Sequence, residues 1–395
     1  MLMNRPRLFE AMKRDGLDAV VATAPENVTY TSGFWFMSQW IRRGPQAYVL
    51  TPAEGRGEQA VISSTGALDL IADQDVPVKD VRRYGFFAVE RDACAENEEQ
   101  SRRFISLLDE DDCGDAVAAL VSAIKDRGLE SACLGVDEGG ITPQYLDALV
   151  FALPRAKIGR AAALFRDVRA VKTAEEVERL RGSARIAELS IDAALSVARV
   201  GATERDLANA FHAKTVSEGA MPVLGVICTG PRSALSSGQP GDRRLEHGDV
   251  IRFDVGGRYQ HYRADISRIA VLGEASTKVK NYHRAIRAGL LRAYDLIRPG
   301  LRTADAFKDI VETVRREGIS HYKRSHVGHG IGLDGYDAPN LTPGSTEVFE
   351  EGMCICVETP YYELGFAGLQ VEDMMRVTRD GVESLMSTSS ELRIV

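Results

Sequence analysis

The first 160 residues alternate short apolar runs with amphipathic stretches. The pattern predicts a helix over Arg7–Arg14 and strands over Asp18–Thr23, Gln46–Leu50 and Ala60–Ser64. Helix and strand periods in alternation argue for a mixed α/β layer structure. Two polar stretches, Glu90–Arg103 and Asp109–Asp115, read as solvated surface. Beyond about residue 160 the texture changes. Thr173, with Glu176 three residues on, has the form of a capping box opening a helix. Leu180, Ala184, Ile186 and Leu189 carry its apolar stripe to about Val197. Further amphipathic helices are predicted over Thr203–Glu218, Val279–Leu296 and Thr303–Glu317, with strands rich in Val, Ile and Phe between and after them. The expected class is α/β (α+β), in two domains, 1–160 and 161–395, since 395 residues exceed one ordinary core. No repeat of fixed period interrupts this division.

Composition narrows the function classes. The charge of −8, from 49 basic and 57 acidic residues, argues against nucleic acid as the main partner, because phosphate neutralisation wants a basic face. No apolar run is long enough for a signal core or a membrane span, so a cytoplasmic protein without a membrane partner is expected. Six scattered cysteines without a CxxC fit a reduced compartment.

The candidate chemistry lies in the second half. In DVIRFDVGGRYQHYRADISRIAVL, Asp254 and Asp265 are eleven residues apart. A reversal near Tyr259–Gln260 would let them approach across an antiparallel ladder. Glu358 and Glu372, fourteen apart in VETPYYELGFAGLQVEDMMRVT, have their midpoint at Gly365 in a turn signal. Carboxylates paired inside apolar strands take up protons or need a cation. His329 lies between these hairpins, flanked by glycines in SHVGHGIGL. Four carboxylates and one neutral imidazole balance two divalent cations. Oxygen-rich ligation favours Mn²⁺, Fe²⁺ or Co²⁺ over a sulfur-bound structural zinc. A metal pair shares a hydroxide and polarises a carbonyl.

These residues resemble the pita-bread metallopeptidases: methionine aminopeptidase, aminopeptidase P and prolidase, with creatinase and other non-peptidase relatives. The order Asp254, Asp265, His329, Glu358, Glu372 matches the family's metal ligands, and FDVGGRYxxYxADISR, GHGIGL, ExPxY and VEDxxxVT are similar to its strings. LFRDVRAVKTAEEVERLR is similar to the helix opening the catalytic domain of the prolidase and creatinase branch. The resemblance implies a creatinase-type N-terminal domain, more loosely matched, followed by a pita-bread catalytic domain. It also implies two divalent metal ions (Mn first; Fe, Co or Zn as alternatives), a small-molecule or dipeptide substrate and a homodimer.

It assigns roles too. Glu358 would take a proton from water, and Tyr362 matches a tyrosine that hydrogen-bonds a developing oxyanion. Arg42 and Arg43, beside Trp35 and Trp40, sit where a partner subunit's site could meet a substrate carboxylate. The departures lie around the ligands. Ser237, Ser325 and Tyr336 stand where proline peptidases carry histidines, and Gln370 where an arginine is common. His261 and His326 stand where glycines are frequent. His326 is a candidate proton donor, and Tyr336, His261 and Ser237 are candidate substrate contacts. Cys354 and Cys356, on the face of Glu358, read as inert buried thiols.

The expected function is therefore a dinuclear-metal-dependent hydrolase of a C–N bond in a small substrate, Xaa-Pro peptidase-like. The exchanged histidines lead to an expectation of weak Xaa-Pro turnover. The alternatives are a repurposed relative of the creatinase, ectoine hydrolase or dimethylsulfoniopropionate lyase kind and, as a minor one, a non-catalytic binding module.

Overall fold

The computed structural model describes residues 2–36, 46–74, 76–91 and 98–395. It divides into two compact units, Met1–Val168 and Arg169–Val395.

The first unit runs α1 (Arg5–Arg14), β1 (Ala19–Ala22), α2 (Pro25–Ser32), β2 (Tyr48–Pro52), β3 (Ala60–Ser64), α3 (Leu68–Asp73), β4 (Asp80–Tyr84), α4 (Glu99–Leu108), α5 (Ala116–Lys125), β5 (Cys133–Val136), α6 (Pro143–Ala152), β6 (Lys157–Arg160) and α7 (Ala162–Ala170). α1 starts ahead of the predicted span because Asn4 caps the Arg7 amide and Pro6 occupies the first turn. The strands form one mixed sheet in the order β4-β3-β2-β1-β5-β6. β1, β2 and β3 are buried at every position, as sheet interiors covered on both faces are. Part of the polar stretch read as surface is the helix α4, none of whose residues is buried; polarity there marks exposure and not lack of structure. The segment carrying Trp40, Arg42 and Arg43 lies outside the described residues.

The second unit continues with α8 (Ala174–Ser196), α9 (Glu204–Ser217), β7 (Met221–Thr229), β8 (Val250–Tyr259), β9 (Tyr262–Arg263), β10 (Ile266–Val271), α10 (Thr277–Leu296), α11 (Thr303–Arg316), β11 (Gly328–Gly330), β12 (Asp337–Asn340), β13 (Cys354–Glu358), β14 (Tyr361–Glu363), β15 (Ala367–Leu369), β16 (Glu372–Val377), β17 (Val382–Ser384) and β18 (Arg393–Ile394). The main sheet has the order β12-β11-β13-β16-β10-β8-β7, with β17 on β16, β18 on β10 and β9 on β8. α8 packs on β8 and α9 on β7, while α10 and α11 pack together and α10 reaches β13. Ile286, Leu290, Ile310 and Val314 from these last two helices join Ile269, Ile355, Val357 and Met375 of the sheet in one core. The capping box at Thr173 and Glu176 is formed, and a second one, Thr203 with Asp206, opens α9.

Glu176 does more than cap. It is buried, and its carboxylate accepts the Thr173 amide at 2.7 Å and the Tyr262 hydroxyl at 3.0 Å. Burial pushes its carboxyl up to about 7, against the pull of Lys172. A carboxyl raised on folding binds more protons folded than unfolded, so its contribution favours the fold at low pH. That contribution fades as pH climbs from the ordinary glutamate range through 7. We predict that Glu176→Gln flattens this part of the stability profile, removing a slope worth on the order of 3 kcal/mol. Urea melts of both proteins at pH 5 and pH 8 provide the measurement; an unchanged slope would count against the assignment.

Candidate active site

The four acids and His329 come together on adjacent strands of the second unit. Glu358 ends β13 and Glu372 begins β16, and their Cα atoms are direct partners, as the Gly365 midpoint predicts. Gly365 itself turns the β14–β15 hairpin with φ +85°. The aspartates are offset. The reversal falls at Gln260–His261, with φ +45° and +75°, one residue later than the sequence spacing suggests. Asp254 on β8 is therefore opposite Ser267 of β10, and Asp265, just before β10, is its diagonal neighbour on the same face. Diagonal positions remain within reach of each other's side chains. His329 on β11 is opposite Cys356 of β13. A Cβ on Gly330 would overlap the Ala338 carbonyl oxygen, and one on Gly328 the Cys356 carbonyl oxygen. Glycines on both sides of His329 are what let the neighbouring strands close around it.

Two donor groups result, each with ligand atoms within 4.8 Å of one another: Asp254, Asp265 and Glu372, and His329, Cys356 and Glu372. The His329 Nδ1 hydrogen-bonds the Gly330 carbonyl at 3.1 Å. That contact assigns the proton to Nδ1 and leaves the Nε2 lone pair facing Asp265 Oδ2 at 3.7 Å and Glu372 Oε1 at 4.0 Å. Burial holds His329 below the usual imidazole range.

Burial and repulsion from neighbouring acids push Asp265 and Glu372 well above the carboxylate range, and burial brings Asp254 up to about 6. Glu358 goes the other way: burial raises it, but the His326 hydrogen bond and charge, with Arg324 and His329, bring it below its ordinary value. Asp265 Oδ1 and Glu372 Oε1 are buried without a hydrogen-bond partner. Orphaned carboxyl oxygens beside an imidazole lone pair are a donor set that fits divalent cations, which would hold them ionised.

Around this set, His326 Nε2 is 2.8 Å from Glu358 Oε1, and its Nδ1 is 3.1 Å from the Ser325 hydroxyl. Arg324 Nη2 lies 3.8 Å from Glu358 Oε2. Tyr336, 57% exposed, stacks on His329 with ring centroids 3.8 Å apart and planes at 19°. The Tyr362 hydroxyl donates to Gln370 Oε1 at 2.8 Å. Ser237 is exposed on the loop after β7, where its carbonyl meets Gln239. His261 faces Arg258 and Arg179 on the hairpin turn, where burial first and then those charges lower it to about 4. Neither residue is joined to the carboxylates by a described contact. The Cys356 thiol donates to the Asp265 carbonyl at 3.6 Å, and burial with the acids around it raises it well above the thiol range.

Sequence reasoning passed over Arg252. It is fully buried, and its Nη1 reaches Asp254 Oδ2 at 3.3 Å and Gln370 Oε1 at 3.0 Å. The signal was present: an arginine inside the apolar run VIRFDV, two positions before Asp254 and so on its face.

Residues 178–379 match the model of metallopeptidase family M24, and residues 5–171 match the creatinase/prolidase N-terminal domain. The chain belongs to metallopeptidase family M24, in its two-domain form with the pita-bread fold. It is 30% identical over 231 residues to a Xaa-Pro dipeptidase of Pyrococcus furiosus, an alignment covering 58% of this chain and 66% of that relative, just under two thirds of its length. Its fold is similar to that of a Xaa-Pro dipeptidase from Bacillus anthracis, with TM-score 0.80 and 24% identity over 99% of this chain and 98% of the other. It is similar as well to that of an X-Pro aminopeptidase from Thermotoga maritima, with TM-score 0.79 and 22% identity over 99% of both chains.

The orphaned oxygens generate a prediction. Mn²⁺ at about a hundred times its dissociation constant should stabilise the protein by roughly 2.7 kcal/mol, and Glu372→Gln, which alters both donor groups, should abolish that gain. Thermal melts with chelator and with Mn²⁺ measure it; a variant that gains as much as the parent would refute the donor set.

Proposed function

We propose that the protein is a dinuclear metallohydrolase that cleaves the C–N bond of a small peptide, in the manner of a Xaa-Pro dipeptidase. The observation that carries this reading is the pair of donor groups sharing Glu372, with two buried carboxylate oxygens left without partners. Asp254, Asp265, His329, Glu358 and Glu372 would hold two divalent cations, Mn²⁺ the first choice. When bound, these supply a Lewis acid for the scissile carbonyl and a water of lowered pKa.

The side chains around them supply the proton path and the pocket. Glu358 Oε1, the carboxylate nearest an imidazole, accepts the proton of the attacking water. His326 Nε2, 2.8 Å away, passes a proton to the leaving nitrogen. The Tyr362 hydroxyl, now given to Gln370, is the donor available to a developing oxyanion when it turns from that partner. Tyr336 forms an aromatic wall over His329, and Ser237 and His261 stay as substrate contacts in the proposal, as do Arg42 and Arg43. The resemblance supports a homodimer acting in the cytoplasm. Among the described residues, no helix is long and apolar enough to cross a membrane.

The expectation of weak Xaa-Pro turnover rested on missing imidazoles. His326 supplies one at the Glu358 carboxylate, one residue beyond the exchanged Ser325, and the relatives named above are peptidases. Both points favour the peptidase over the repurposed hydrolase or lyase and over a binding module. A screen of Ala-Pro and Gly-Pro against non-proline dipeptides and small amides, with Mn²⁺ and with chelator, tests it. Expected is metal-dependent release of the N-terminal amino acid. His326→Ala should lower kcat by about 10²–10⁴-fold, the usual worth of general acid–base assistance. Turnover confined to non-peptide amides, or a His326→Ala variant with full kcat, would overturn the reading.

A further inference from the structure

Arg252 is a guanidinium with no access to water, placed against Asp254 at the edge of the buried carboxylates. Its hydrogen bonds are accounted for. Nε donates to the Ser233 carbonyl at 2.9 Å, and Nη2 to the Leu235 and Ser236 carbonyls at 2.7 and 3.1 Å. Nη1 divides between Asp254 Oδ2 and Gln370 Oε1. Among the described residues, the carboxylate it touches is thus Asp254. On its other side the guanidinium lies 5.2 Å from the Tyr362 ring centroid.

Gln370 extends the arrangement. Its Oε1 accepts from both Arg252 and Tyr362, and its Nε2 faces Glu358 Oε2 at 3.4 Å and Glu372 Oε2 at 3.3 Å. Two donors on one end and two carboxylates on the other fix which way the amide points.

The placement is asymmetric with respect to the two donor groups. Asp254 belongs to one of them only, while Glu372 belongs to both. A fixed positive charge on Asp254 opposes a cation in the group with Asp254 and Asp265 directly, and a cation beside His329 at greater remove. Unlike a solvated lysine, a buried guanidinium keeps its charge and cannot swing away.

We propose that Arg252 is a positioning residue that holds Asp254 and Gln370 in place and makes the Asp254 subsite the weaker of the two cation subsites. The inference rests on the dinuclear reading above and adds to it a named side chain that sets the difference between the ions.

The test is metal binding, read by calorimetry and by bound Mn²⁺ after dialysis at graded free concentrations. Wild-type protein should take up two ions of distinct affinity. Arg252→Met should tighten the weaker ion by about tenfold or more, since removing a neighbouring positive charge favours the cation. Arg252→Lys, which keeps the charge, should leave it weak. A residue that merely propped the loop would give the opposite sign, because its loss would loosen Asp254 and weaken the ion.

Arg252→Met leaves three carbonyls without their donor, so Asp254→Asn, which preserves shape, provides a second test. It should remove the weaker ion and keep the tighter one. Loss of the tighter ion in Asp254→Asn, or weaker binding in a folded Arg252→Met, would overturn the proposal. Two ions of equal affinity in the wild type would overturn it alone, leaving the dinuclear reading standing. Uptake of no ion would overturn both.

Discussion

Like charge gathered inside a sheet is the constraint to which the rest of the second unit answers. Asp254 on β8, Asp265 just before β10, Glu358 on β13 and Glu372 on β16 converge. Burial alone raises the cost of ionising each of them, and for Asp265 and Glu372 their neighbours raise it further. A carboxylate in such a place is tolerable when it is protonated, paired or bound to a cation. The structure uses pairing for two of the four: Glu358 takes His326 and Arg324, and Asp254 takes Arg252. The two without a basic partner at hydrogen-bonding distance are those whose oxygens are orphaned. The division between paired and orphaned acids therefore locates where cations would matter most to the fold.

Crowding of this kind needs a backbone that does not yield. The acids are held by register, and the register is held by elements far from the chemistry. Isoleucine and valine on α10 and α11 pack under the same strands, and α8 is fixed at its start by Glu176 bonding both the Thr173 amide and the Tyr262 hydroxyl on the β8–β9 hairpin. Buried Asp337, next to Tyr336, is clamped by Arg169 at 2.7 Å and Lys172 at 3.4 Å. That clamp fixes the chain at the residue whose neighbour stacks on His329. A one-residue slip in any of these strands would turn its carboxylate to the opposite face.

How much of this was legible in the sequence depended on whether a local rule applied. Glu358 and Glu372 were readable as direct partners because Gly365 marks the turn that sets their register. Asp254 and Asp265 were placed one step out. Gln260 and His261 carry no turn signature, yet both adopt the left-handed conformation usually left to glycine or asparagine. The capping box at Thr173 was readable, since its two partners are three residues apart. Arg252 was not, because its meaning depends on Gln370, 118 residues away. No single-chain pattern links a buried arginine on one strand to an amide leading into another.

The departures from the family pattern share a physical logic. Proline peptidases commonly present an arginine two before the last glutamate; here Gln370 stands there, and a guanidinium reaches the same neighbourhood from Arg252, two before the first aspartate. Within a strand a side chain changes face at every step, so a charge that must stay on one face relocates by two positions or crosses to a neighbouring strand. The imidazole followed a looser rule. His326 lies before β11 begins, in a segment not bound to strand alternation, and a shift of one residue from Ser325 still brings its Nε2 to Glu358. Strand positions thus exchange charge between strands, whereas loop positions slide along the chain. The four acids and His329 can keep their places while their surroundings are rebuilt, and Arg252, His326 and Tyr336 are the contacts by which those surroundings differ in this chain.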